Sequence, residues 1–196
     1  PARAAHDAST PPRLMTAAEL LRYREPLGRP TELIRGRLVV SELPGFEHGR
    51  VAATIAAAFF VYIERLVDTS GHRVGEVATN DPGCWIERGP DTVRAPDVAF
   101  VSADRLPPQP LTGYLETAPT IAVEVLSPTD RLGLMRRKVA QWLRTGAVLV
   151  WVADPERRTV HVHRADHAVR VLSATDTLDA DPVLPGFTLP LATVFR

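Results

Sequence analysis

Asp97, Glu124 and Lys138 are the three residues whose types and settings could do chemistry together. Asp97 follows Pro96 and opens the apolar run Val98-Ala99-Phe100-Val101. Glu124 lies inside Thr120-Ile121-Ala122-Val123-Glu124-Val125-Leu126, which otherwise reads as a fully buried, central strand. A buried carboxylate is costly unless it is paired or bound to a cation. Strand side chains alternate, so Glu124 shares a face with Ala122 and Leu126, and Asp97 shares one with Ala99 and Val101. The alanines leave room beside each acid. If the two strands are neighbours, the acids converge, and their repulsion pushes one toward its protonated form. A divalent cation relieves that repulsion. Magnesium commonly takes one or two carboxylates, with water and phosphate oxygens completing its shell.

The third residue lies on the next element. Ser127-Pro128-Thr129-Asp130 announces a helix from about Arg131 to Thr145, closed by Gly146. Leu132, Met135, Val139, Trp142 and Leu143 form its apolar stripe, and Arg137, Gln141 and Arg144 take the opposite side. Lys138 falls at the stripe's edge, aimed partly toward the sheet, where an ammonium needs an anionic partner. The plainer reading is a lysine that snorkels along the core. Likewise Asp97 and Glu124 can be structural acids, paired with Arg94 or Arg131. The four arginines 131, 136, 137 and 144 read most simply as a solvated helix face.

Around these residues the chain alternates elements. Thr16-Ala17-Ala18-Glu19 is a capping box opening a short helix from about Ala17 to Arg24, ended before Pro26. Residues 31–43 hold two apolar runs about Arg35-Gly36, a β-hairpin. Val51, Ile55, Ala58, Phe59, Tyr62 and Leu66 recur at helical steps in the clearest helix of the chain, stopped by Gly71. Residues 73–80 and 83–88 read as strands parted by a turn at Asp81-Pro82-Gly83, and residues 96–101 as a third. A proline-rich loop over residues 106–119 precedes the strand of Glu124. Residues 147–154 form another buried strand, making a strand–helix–strand crossover between parallel strands. Residues 159–164 and 168–173 form a hairpin about His167, and the tail over 184–195 packs a final aromatic with little regular pattern. The result is an α/β fold: a mixed sheet flanked by helices, with additional hairpins.

Composition narrows the function classes. With 196 residues, 45% hydrophobic and 23% charged, the chain has the make-up of a globular protein. Its organisation reads as a loose N-terminal arm over residues 1–15 and a single domain over 16–196. Net charge is zero, which argues against a uniformly basic nucleic-acid coat but leaves room for a local basic groove. Cys84 is the only cysteine, so an internal disulfide and multi-cysteine zinc sites are excluded, and a reducing, cytoplasmic setting fits. No apolar run reaches the roughly 20 residues of a membrane span. His161 and His163 share a strand face without an evident third ligand. Trp85, Trp142 and Trp151 read as packing residues, Cys84 as core. Glu32 and Glu76 lie in strands, and nothing local fixes them near the acids.

Read in order, the segments MTAAELL, TELIRGRLV, EHGRVAATI, VRAPDVAFV, IAVEVLSPTDR, RRKVAQWLRTGAVLVWVADPERRTV and LPGFTLPLATVF resemble the Uma-two family of restriction-endonuclease-like proteins. That places the chain beside the PD-(D/E)xK nucleases. The resemblance implies a restriction-endonuclease-like fold and metal-dependent hydrolysis of phosphodiesters, with DNA as partner. Asp97, Glu124 and the backbone carbonyl of Val125 would hold magnesium or manganese, and Lys138 would orient the attacking water or stabilise charge on phosphorus. One departure matters: the lysine expected two residues after Glu124 is Leu126, and the family resemblance implies that Lys138, on the next helix, supplies the ammonium instead. Glu47 and His48 would be auxiliary, the first completing the metal site, the second binding phosphate or acting as a base. A catalytically silent nucleic-acid-binding or assembly module with the same fold is the alternative. The hairpin over residues 159–173 ends near a sheet edge that could serve a homodimer.

Overall fold

A computed structural model describes residues 13–107 and 112–196; most of the N-terminal arm, residues 1–12, and the centre of the proline-rich loop lie outside the described residues. Helix α1 (Ala17–Arg22) opens with the expected capping box, Thr16 and Glu19 each satisfying the other's backbone N–H. It is two residues shorter than its sequence pattern implies, because Tyr23 turns to extended backbone. Strands β1 (Thr31–Ile34) and β2 (Arg37–Val40) pair as a hairpin. Arg35 and Gly36, with φ of 49° and 73°, make its tight turn. Helix α2 (Phe46–Ser70) ends at Gly71 in the left-handed region.

The next two strands go to different sheets. β3 (Gly75–Thr79) joins a six-stranded sheet, whereas β4 (Cys84–Glu87) joins the β1–β2 hairpin, so the turn between them is a crossing between sheets. The link is β5 (Thr92–Arg94), a strand that the sequence pattern does not announce. It is too short for a recognisable pattern, and pairs with both β1 and β4. The four-stranded sheet runs β2-β1-β5-β4.

The larger sheet carries the site. After β6 (Val98–Ser102) come β7 (Ile121–Val125), α3 (Leu132–Arg144), β8 (Leu149–Asp154), β9 (Thr159–His163) and β10 (Arg170–Ser173). The order is β10-β9-β8-β7-β6-β3. β7 and β8 are parallel, as the α3 crossover requires, and the other pairs are antiparallel. β7 is central and buried at every residue. β10 is an outer edge, with Val171 and the preceding Val169 exposed. The tail is more regular than its sequence implies. β11 (Thr177–Ala180) and β12 (Leu184–Pro190) form a third small sheet, followed by α4 (Leu191–Val194), and Phe195 is buried as expected.

Each face of the six-stranded sheet has its own cover. Val51, Ile55, Phe59 and Ile63 of α2 pack with Val98, Phe100, Val123 and Trp151 on one face. On the other, Val139 and Trp142 of α3 pack with Ala122, Val150 and Val152. Gln141, expected on the solvent side of α3, is buried. It accepts from Arg94 Nε and donates to Glu87, each at 2.8 Å. That face of α3 meets the four-stranded sheet, which the helix periodicity alone does not announce. Leu132, expected in the stripe, is 54% exposed because it lies in the first turn, ahead of the packed region.

Candidate active site

The two acids meet because their strands are neighbours. Val98 faces Val123 and Ala99 faces Ala122 across the β6–β7 ladder, so Asp97 stands at the ladder's end beside Glu124 and Val125. Pro96 keeps Ala95, the residue before it, out of the helical region, and the chain bends at Asp97 before the strand begins. Asp97 Oδ2 accepts the Val125 N–H at 2.6 Å, and His48 Nε2 lies 3.3 Å from Asp97 Oδ1. His48 sits in the first turn of α2, which brings that helix end to the strand end.

Glu124 is only 2% exposed. Its Oε2 accepts from Lys138 Nζ at 2.9 Å and its Oε1 from Trp142 Nε1 at 2.7 Å. Lys138 and Trp142 are one turn apart on α3, so a single helix face supplies both donors. The ammonium of Lys138 also donates to the Ala95 carbonyl at 2.9 Å and lies 3.1 Å from Glu32 Oε1. Thus Asp97, Glu124 and Lys138 are brought together, and His48 joins them. Glu47 is not. It points outward and pairs with Arg50 at 2.5 Å.

Two further acids surround this group. Glu32, from the other sheet, accepts the Ala95 N–H at 2.9 Å and pairs with Arg94 at 2.7 Å. One carboxylate therefore ties Lys138 to the segment that leads into Asp97. Asp81 lies in the β3–β4 crossing. Thr79 faces Val98 in the β3–β6 ladder, so the chain just beyond Thr79 runs alongside Asp97. Asn80 and Asp81 both have positive φ, 65° and 56°, a conformation that Asn and Asp tolerate better than most residues. Sequence reading left Glu32 unplaced and gave Asp81 only a turn role. The turn chemistry was visible, but its closeness to Asp97 depends on strand register.

The charges are unequal. Glu32, Asp81, Asp97 and Glu124 face two permanent cations, Lys138 and Arg94. Burial would lift the Glu32 carboxyl, but Lys138 and Arg94 hold it below the usual range. Burial pushes Glu124 up to about 7, Lys138 opposes this, and the charges of Asp97 and Glu32 add to the rise. Burial and then Asp97 also raise Asp81. Burial would lower Lys138, yet Glu124 and Glu32 outweigh it and raise the ammonium's pKa. For His48, the hydrogen bond and charge of Asp97 overcome burial and raise the imidazole, with Asp130 and Asp81 contributing. Burial first, then the charge of Glu124, drives the Cys84 thiol up to about 12, consistent with an inert core residue.

The donor set suits a hard divalent cation. Its ligating atoms are oxygens, its charge surplus is negative, and Asp97 and Glu124 each keep acceptor capacity beyond the two donors they face. Among the described residues no three of His, Cys, Asp and Glu are placed to hold a metal by themselves. Waters and substrate oxygens would therefore supply the rest of a magnesium shell. His161 and His163, with ring centroids 6.4 Å apart on β9, gain no third ligand among those residues.

Residues 17–192 match the Uma2 family, whose description is "Putative restriction endonuclease". The chain belongs to the Uma2 family. A solved structure from Anabaena variabilis, titled as "a putative nuclease belonging to DUF820", resembles this Uma2 chain with a TM-score of 0.74. The two are 20% identical, and the match covers 92% of the Uma2 chain and 97% of the other. That likeness shows the shared fold, a restriction-endonuclease-like mixed sheet flanked by helices. No curated protein matches the Uma2 chain. Among its described residues no helix is long and apolar enough to cross a membrane.

Proposed function

We propose that this protein is a divalent-metal-dependent endonuclease that hydrolyses phosphodiester bonds in DNA, with residues 16–196 acting as one unit. The observation that carries the reading is the meeting of Asp97, Glu124 and Lys138, from two neighbouring strands and the following helix, with Lys138 Nζ 2.9 Å from Glu124. Membership of a family described as "Putative restriction endonuclease" supports it.

Asp97, Glu124 and the Val125 carbonyl would hold magnesium or manganese, whose chemistry there is neutralisation of phosphate charge and activation of a water. Lys138 stays protonated because two carboxylates hold it. It therefore stabilises negative charge developing on the phosphoryl oxygens, and is a poor proton acceptor. His48, oriented by Asp97, is the better group to take a proton from the attacking water or to contact a neighbouring phosphate oxygen. Glu47, paired with Arg50 outside the cluster, has no step here.

A second reading has its own observation. Lys138 already has three oxygen partners, and Trp142 caps Glu124, so the polar cluster satisfies itself. Such a network suits a nucleic-acid-binding or assembly module that keeps the fold and cuts nothing. Nicking of supercoiled plasmid in magnesium or manganese separates the two. Asp97→Ala, Glu124→Ala and Lys138→Met should each lower the rate by about 100-fold or more. Cleavage that survives both carboxylate substitutions assigns the chemistry elsewhere. DNA binding by the wild type, without cleavage under any divalent cation, selects the module.

A further inference from the structure

The outer side of α3 carries charge that the site behind it does not use. From Arg131 to Ala153 the chain contains no acidic residue. Of the five cations on this stretch, Lys138 turns inward to Glu124 and Arg144 bonds to Glu87. Arg131, Arg136 and Arg137 are exposed, and their guanidinium groups make no ion pair or hydrogen bond among the described residues. Arg29, Arg73, Arg157 and Arg170, by contrast, each hold a carboxylate.

Helix stability does not account for the placement. Arg131 is the N-terminal boundary residue of α3 and makes no capping hydrogen bond. A cation at that end opposes the helix dipole, an effect of about 0.3–1 kcal/mol. The adjacent acid, Asp130, accepts the Ser127 N–H on its Oδ2 at 2.7 Å. Arg131 precedes Lys138 by seven residues, two turns, so it lies on the same side of α3, about 10 Å along the axis. This end of α3 borders the site, since only five residues separate Arg131 from Val125, whose N–H donates to Asp97. The helix thus reaches the carboxylates with one side and shows uncompensated guanidiniums at the rim and outside. In a chain of zero net charge, that local surplus is what attracts a polyanion.

We infer that α3, through Arg131, Arg136 and Arg137, is the surface on which the phosphate backbone of duplex DNA docks beside the site. The inference rests on the nuclease reading above and names where its substrate lies. Arginine suits the role because its planar fork matches phosphate oxygens. The contact is sequence-independent, so it affects every duplex alike.

The test uses the full chain and a fluorescein-labelled 20-base-pair duplex, with calcium replacing magnesium to slow cleavage. Anisotropy titrations at several salt concentrations compare the wild type with the Arg131→Ala, Arg136→Ala, Arg137→Ala triple variant. Arg73→Ala, at the far end of α2, is the control, and thermal melts check folding. Each lost phosphate contact should flatten the slope of log K against log salt by about 0.9, so the triple variant should lose about 2 to 3. Its affinity should fall at least about 10-fold, with the control and the melts unchanged. An unchanged slope in a folded variant overturns the inference, and does so even where plasmid nicking persists. Loss of self-association without a change of slope also overturns it, by assigning the face to a second copy. If the wild type binds and cuts no nucleic acid, the nuclease reading fails first.

Discussion

On the α2 side of the six-stranded sheet, Phe59 stacks on Trp151 at 5.1 Å and packs against Phe187 at 5.0 Å. Trp151 is fully buried, and its indole N–H has no partner among the described residues. On the α3 side, Trp142 is equally buried, but its N–H donates to Glu124 beside Lys138. The same sheet therefore presents a dry aromatic layer to one helix and a charged, hydrogen-bonded cluster to the other. The contrast separates two physical tasks. The dry face supplies dispersion and apolar burial without directional demands. The polar face holds charges whose desolvation is costly unless every partner is in place, which makes it specific in geometry. A binding or catalytic role explains why the chain would bear that cost.

Three substitutions would break or sharpen this comparison. Phe59→Ala removes a ring from the dry layer and should cost about 3–5 kcal/mol in urea unfolding. Nicking per folded molecule should stay near wild type. A loss of activity beyond the loss of folded protein would mean that the two faces are coupled. The tryptophan pair is a finer probe. Trp142→Phe leaves a carboxylate oxygen without its donor and should cost about 1.5–3 kcal/mol. Trp151→Phe loses similar volume but no hydrogen bond, and should cost less than Trp142→Phe. Equal costs would mean that Glu124 gains nothing from the Trp142 indole.

The smallest effect is a dependence on pH. In the metal-free protein the Glu124 carboxyl is raised from 4.5 to about 7. Between those values the folded chain keeps a proton that the unfolded chain releases, so this residue's contribution to stability declines as pH rises. Glu124→Gln has no proton to lose. The wild-type advantage over that variant in urea midpoint should therefore shrink between pH 5.5 and pH 8. An advantage that grows with pH would show instead that Glu124 is held ionised by Lys138. Glu32 has the opposite sign. Its depressed carboxyl contributes above its unfolded value and loses that contribution as pH falls through its folded value.

Much of this architecture was legible in residue order. The α2 periodicity, the capping box at Thr16 and the buried run at β7 announced themselves, because each depends on contacts within a few residues. The cost of burying Asp97 and Glu124 flagged them without any knowledge of what lay nearby. Other features were hidden for equally physical reasons. β5 is three residues long and is defined by its neighbours on both sides. Gln141 is polar, and on periodicity it belonged in solvent until the four-stranded sheet covered it. Glu47 and His48 are adjacent in sequence, yet α2 aims one at Arg50 and the other at Asp97.

The sequence by itself determined the longer, strongly patterned elements and three chemically conspicuous side chains, since hydrophobic period and the desolvation of charge act locally. Only the tertiary structure decided that Glu32 from a second sheet and Asp81 from a crossing turn would stand around Lys138 and Asp97. Those placements follow from strand register and from the packing of one sheet against a helix of another. Such distances are set by the whole chain closing on itself, and no stretch of residues carries them alone.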